Sequence, residues 1–228
     1  MSATDLVLHL VALFDQLAVS YMLVGSYSSN YYGRPRSTRD ADFVVVLPED
    51  KLSALRLALG PDFHFEPQMS FETITMTVRH VITHPATAFK IELFLLTDDP
   101  HDRSRFARRQ RVDFEGYSTY LPTAEDVIIQ KLRWSRGGKR AKDISDAAEV
   151  IDVQKQRLDL TYIRQWAAQH GTESLFEELL HRQAEAARRE ARPSHDLLYY
   201  CRRRPLLRSS RVTTSLFRQV FGQSLLET

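Results

Sequence analysis

The stretch from Tyr21 to Leu47 constrains the fold more than any other part of the chain. It opens with an apolar run, Tyr21-Met-Leu-Val24, and turns at Gly25-Ser26. A short polar segment and a basic loop from Arg34 to Arg39 follow. Asp40-Ala-Asp42 then opens a second apolar run that reaches Leu47. This order fits a strand, a turn into a short helix, and a second strand. Glycine at the turn lets backbone N–H groups approach an anion closely, and the serine adds a hydroxyl. Side chains alternate between the faces of a strand, so Asp40 and Asp42 share one face. Paired carboxylates on one face can hold a hard divalent cation. A phosphate cradle beside such a pair suits nucleotide chemistry.

Gly25-Ser26, thirteen intervening residues and Asp40-x-Asp42 resemble the signature of the nucleotidyltransferase superfamily, the DNA polymerase β-like fold. With Gly33-Arg34 and Arg36-Ser-Thr38-Arg39 added, the local pattern resembles the small bacterial branch that contains the AbiEii toxins. The resemblance covers roughly residues 20–170. It implies an α/β (α+β) core with a short mixed sheet and a following helical module that closes over the cleft. It implies Mg²⁺ or Mn²⁺ as cofactor, an NTP as donor, and a third carboxylate on a later strand. It also implies that Lys131 contacts the triphosphate and that Asp143 has a catalytic or orienting role.

Glu92 matches the place of the third carboxylate. It interrupts the apolar run Ile91-Glu-Leu-Phe-Leu-Leu96, and a charge in a buried strand is costly unless paired or metal-bound. The expected metal ligands are therefore Asp40, Asp42 and Glu92. The plain alternatives are a solvated strand entrance for the aspartates, and an edge position or a Lys90 partner for Glu92. Gly25, Ser26, Arg36, Thr38, Arg39 and Lys131 form the expected nucleotide-binding set. Ser26 reads equally well as an ordinary helix N-cap, and the loop arginines as charge balance for the aspartates. Asp143 and Asp146, at i and i+3, share a helix face. A surface salt-bridge network is the alternative for these two and Lys131. Trp134 and Trp166 read as core residues, and the scattered histidines as structural.

Leu6, Leu10, Leu13 and Leu17 recur at helical spacing, so residues 4–19 are expected as a helix. Strands are expected at 20–25, 41–47, 74–83 and 89–96, and a hairpin at 111–121. Pro122 marks a change to helical periodicity. The expected organisation is a core over 1–121, a helical module over 122–192 and a basic segment over 193–228. That last segment carries six arginines: Arg202, Arg203, Arg204, Arg208, Arg211 and Arg218.

The net charge of +2 over 228 residues announces no nucleic acid. The single cysteine, Cys201, excludes an internal disulfide and a cysteine-rich zinc site. No apolar run approaches the ~20 residues of a membrane span, so the expectation is a cytoplasmic protein. The leading expectation is a metal-dependent nucleotidyltransferase, with an RNA 3′ end such as that of tRNA, a protein or a small molecule as acceptor. The resemblance adds a toxin–antitoxin or phage-defence setting, with an antitoxin as partner. The alternatives are an inactive nucleotide- or partner-binding module of the same fold, and a metal-dependent phosphodiesterase. The Gly-Ser cradle favours an NTP donor over the phosphodiesterase.

Overall fold

The computed structural model describes residues 2–190 apart from 67–69, 74–75, 115 and 136. The basic segment from 193 onward, with Cys201, lies outside the described residues. The first compact unit is Met1–Gln183, and apart from the end of the last helix everything below concerns it.

Helix α1 (Ala3–Gln16) starts at a capping box in which Ser2 and Asp5 satisfy each other's backbone N–H groups. It buries Leu6, Leu10, Leu13 and Phe14. It ends three residues before the expected 19, because Ala18 takes φ +50°, which no helix continues through. Strand β1 (Ser20–Val24) leads through helix α2 (Gly25–Tyr32) to β2 (Asp40–Val46). Then come α3 (Glu49–Leu59), the short strands β3 (His64–Phe65) and β4 (Ser70–Glu72), and the long β5 (Thr77–His84) and β6 (Thr87–Leu95).

These strands form one mixed sheet of order β1-β2-β6-β5-β3, with β4 paired to β5. β2 and β6 run parallel at its centre, and the other pairings are antiparallel. Glu92 is thus on a central strand, not an edge.

Alternation along the strands divides the sheet into two chemically distinct faces. Tyr21, Leu23, Ala41, Phe43, Val45, Ile91 and Leu93 pack with Leu6, Leu10 and Phe14 of α1 and Leu55 of α3 in the main core. Met22, Val24, Val44 and Phe94 face the other way and pack with Phe106. Asp40, Asp42 and Glu92 alternate onto that second face.

Helix α4 (Pro100–Ala107) and the hairpin β7 (Gln110–Phe114)–β8 (Tyr117–Leu121) precede four helices: α5 (Ala124–Trp134), α6 (Ala141–Gln154), α7 (Leu160–Gln169) and α8 (Glu173–Glu190). Thr123 caps α5 by accepting from the Asp126 backbone. Ile128, Ile129 and Leu132 of α5 pack on Ala147, Val150 and Ile151 of α6, with Ile163, Ala167 and Phe176 behind them. This helical core belongs to the same compact unit as the sheet. Gly33, at the end of α2, lets the two parts approach: a Cβ there would lie 3.3 Å from the Val150 backbone nitrogen. Among the described residues no helix is long and apolar enough to cross a membrane.

Candidate active site

The parallel β2–β6 register sets Asp42 opposite Glu92, and Asp40 opposite Lys90. Residues in register point the same way, so the Asp42 and Glu92 side chains stand side by side on one face. Asp40, Asp42 and Glu92 line a cleft of about 280 Å³ between that face and the helices α5 and α6. Gly25 and Ser26 line it as well. They form the first turn of α2, where N–H groups have no partner within the helix. The helix begins at Gly25 with Val24 as a cap that offers no side chain. Ser26 is therefore not the N-cap. It sits inside the first turn, buried, and its Oγ accepts a hydrogen bond from Arg36 Nη2 at 3.1 Å.

Asp42 is half-buried on the cleft floor. Burial first, and then the charges of Asp40 and Glu92, push its carboxyl up to about 7, against the pull of Lys131 and Lys142. Burial also raises Glu92, and Arg79 opposes it through an ion pair of 2.7 Å. Thr38 Oγ1 donates to Asp40 Oδ1 at 2.7 Å. Two of the three acids thus already have partners. Among the described residues no group of three acidic, histidine or cysteine side chains stands where one ion could take them all. The backbone brings the acids to one face, but Arg79 draws Glu92 and Thr38 draws Asp40. Mg²⁺ commonly takes one or two protein carboxylates plus substrate phosphates, a number that Asp40 and Asp42 can meet without Glu92.

Opposite the acids lies a charged network. Arg36 donates from Nε to Asp146 Oδ1 at 2.8 Å and from Nη2 to Asp146 Oδ2 at 2.7 Å. Lys131 Nζ donates to the same Asp146 Oδ2 at 2.6 Å and to Asp143 Oδ1 at 3.3 Å. Arg140 Nε lies 3.0 Å from Asp143 Oδ2. Burial works against the Asp146 carboxylate, but Arg36 and Lys131 outweigh it and hold its pKa below the ordinary value. Lys131, Asp143 and Asp146 are all buried, so a solvated surface network is not what they form. Lys131 and Asp143 line the cleft.

Arg39 is exposed and does not line the cleft; its carbonyl accepts from the Lys90 backbone at the strand edge. Arg34 turns to α6, with Asp152 at 2.9 Å and Glu149 at 3.5 Å. Thr38 acts on Asp40 rather than lining the cleft.

Sequence reasoning missed several lining residues, among them Arg79, Asp102, Arg105 and Gln130. The partner of Glu92 is Arg79, not Lys90. No short-range signal marks it, because it comes from the pairing of β5 with β6. Trp134, expected in the core, does pack against the Met22, Val44, Phe94 and Phe106 cluster, with its ring edge-to-face to Phe94 at 6.0 Å, and it also forms part of the cleft wall. A signal did exist: Val127, Gln130, Lys131 and Trp134 recur at three and four residues, on one helix face.

Solved structures share this architecture. The crystal structure of ANT(2")-Ia in complex with adenylyl-2"-tobramycin matches 75% of this chain and 97% of its own, with a TM-score of 0.52 and 12% identity. The solution structure of the antibiotic-resistance factor ANT(2'')-Ia matches 81% and 100%, with a TM-score of 0.50 and 13% identity. This chain has the nucleotidyltransferase fold. An antigenic nucleotidyltransferase-like protein from Paracoccidioides brasiliensis is 19% identical, over 78% of this chain and 91% of that one, with a TM-score of 0.49. No protein-family model matches the chain, and no curated protein sequence does.

Proposed function

We propose that the chain transfers a nucleoside monophosphate from an NTP to an acceptor hydroxyl and releases pyrophosphate. The observation that carries this is the placement of Asp42 in register with Glu92, beside Asp40 and against the Gly25-Ser26 turn. Asp40 and Asp42 would hold Mg²⁺ or Mn²⁺ together with the substrate phosphates. Bound there, the ion would neutralise charge on the triphosphate and favour in-line attack at the α-phosphorus.

The first-turn N–H groups of α2 and the Ser26 hydroxyl receive phosphate oxygens. Lys131 stands across the cleft to balance the charge of the leaving pyrophosphate. The acceptor oxygen bonds to the α-phosphorus as the bond to the bridging oxygen breaks. The acceptor's proton passes to a carboxylate, and Glu92 is the best placed. Its pKa is already raised, and its carboxylate is not enclosed by two cations as that of Asp143 is. The helices α5 and α6 form the wall that closes the cleft.

The direct test supplies each α-labelled NTP with Mg²⁺ and either total RNA or cell lysate. Label transferred by the wild type and not by Asp42→Asn supports the reading. Equal transfer by both overturns the assignment of Asp42. A second reading, an inactive nucleotide-binding module, draws on the Arg79–Glu92 ion pair, which already engages the third acid, and saturable NTP binding without transfer would establish it. The AbiEii-like pattern at Gly25–Asp42 and Lys131–Asp146 supports a toxin–antitoxin or phage-defence setting. Growth arrest on expression, relieved by Asp42→Asn, tests that extension.

A further inference from the structure

The cleft has an inner wall that phosphate chemistry leaves unused. Helix α5 presents Gln130, Lys131 and Trp134 to it. Lys131 serves the acids of α6. Gln130 Oε1 and Trp134 Nε1 are buried and have no hydrogen-bond partner. Buried polar atoms in native proteins are nearly always bonded, and neither atom is open to the cleft as it stands, so a ligand there would meet them after a rotation of each side chain. Facing them are Val24, Val44 and Phe94, the apolar continuation of the strands that carry Asp40, Asp42 and Glu92. The Phe94 and Trp134 rings meet edge to face.

The chemistry of that wall narrows what it takes. The indole N–H only donates, whereas the amide oxygen accepts. A triphosphate offers acceptors alone, so it would leave Gln130 Oε1 and the apolar surface unmatched. A polyhydroxylated sugar would match both polar atoms and set hydroxyls against valine and phenylalanine. A planar heteroaromatic ring, with an N–H beside a lone pair on its edge and apolar faces, satisfies all of them. We propose that Gln130 and Trp134 read the nucleobase of the donor and set which NTP this chain prefers. This rests on the nucleotidyl-transfer reading above.

The experiment is calorimetric titration of the full chain, with Mg²⁺ and no acceptor, using the four NTPs and inorganic tripolyphosphate. Gln130→Met and Trp134→Phe remove the acceptor and the donor while keeping much of the shape. The wild type should bind one NTP at least about tenfold more tightly than tripolyphosphate. Each variant should lose about tenfold for that NTP, keep its tripolyphosphate affinity and flatten the rank order of bases. Circular dichroism checks the fold, and Gln130→Met carries the test if Trp134→Phe is disturbed. An unchanged rank order in the folded variants overturns the proposal. So does equal wild-type affinity for tripolyphosphate and every NTP, a result that leaves the transfer reading standing. Binding of neither class of ligand would sink both.

Discussion

Gly25 and Asp42 compete for one volume. A Cβ on Gly25 would lie 2.9 Å from Asp42 Cγ and overlap its carboxylate, and the residue takes φ +64°. Gly25→Ala should therefore do two things. The left-handed backbone should cost about 1–2 kcal/mol, and the displaced carboxylate should abolish turnover. Gly60 isolates the first effect. It has φ +79° with nothing near its would-be Cβ. Gly60→Ala should lower stability by a similar amount and leave transfer intact. Thermal melts with paired rate measurements check this, and an active Gly25→Ala protein would remove Asp42 from the centre of the chemistry.

The acids should make stability depend on pH in a definite direction. The Asp42 carboxyl rises from an ordinary 3.8 to about 7 on folding. A group raised in this way favours the folded state fully below its unfolded value, and that stability is lost as pH rises through the folded value. The metal-free protein should lose on the order of 4 kcal/mol between about pH 4 and pH 8 from Asp42, and Glu92 acts in the same sense. Mg²⁺ binds only the ionised acids of the folded state, so its stabilisation should be larger at pH 8 than at pH 5. Asp42→Asn should flatten the pH dependence and shrink the Mg²⁺ response. If melting temperature is flat from pH 5 to pH 8 in both proteins, the buried charge at Asp42 has been misjudged.

What was legible in the sequence was local. The Gly25-Ser26 turn and the period-two spacing of Asp40 and Asp42 both act over a few residues, and both stand where the pattern put them. Glu92 was legible as an acid that an apolar strand must accommodate. Its partner was not, because Arg79 reaches it only through the antiparallel register of β5 and β6. β3 and β4 span two and three residues, too short to show alternation. The i, i+3 spacing put Asp143 and Asp146 on one face. Which of them would meet Arg36 depended on how the loop before β2 folds against α6, a contact separated by 110 residues. Trp134 shows the same limit, since an aromatic on an apolar helix face reads alike whether the face meets a core or a cavity.

Arg79 should tune the group proposed to accept the acceptor's proton. Burial raises Glu92 and the Arg79 guanidinium lowers it. Arg79→Met removes the second influence, so Glu92 should hold its proton to higher pH. The acid limb of the pH profile of kcat/KM should move towards alkaline pH, with the plateau rate changed less. A limb that stays in place would show that the essential base is another group.

Lys131 and Asp146 should behave as one unit for stability and as two for catalysis. Their 2.6 Å contact is buried on both sides. Removing one partner leaves the other charge short of a bond, so Lys131→Met and Asp146→Asn should each cost about 1.5–3 kcal/mol in urea unfolding. The double variant should cost less than the sum, with a coupling of about 0.5–3 kcal/mol. Kinetics should divide the pair differently. Lys131→Met removes a cation from the cleft wall, so the KM for NTP should rise and inhibition by pyrophosphate should weaken. Asp146→Asn keeps that cation and loosens Arg36 from Ser26, so its KM should rise less. Additive stabilities would mean that the contact carries no weight. An unchanged KM in Lys131→Met would show that the lysine only braces α5 against α6.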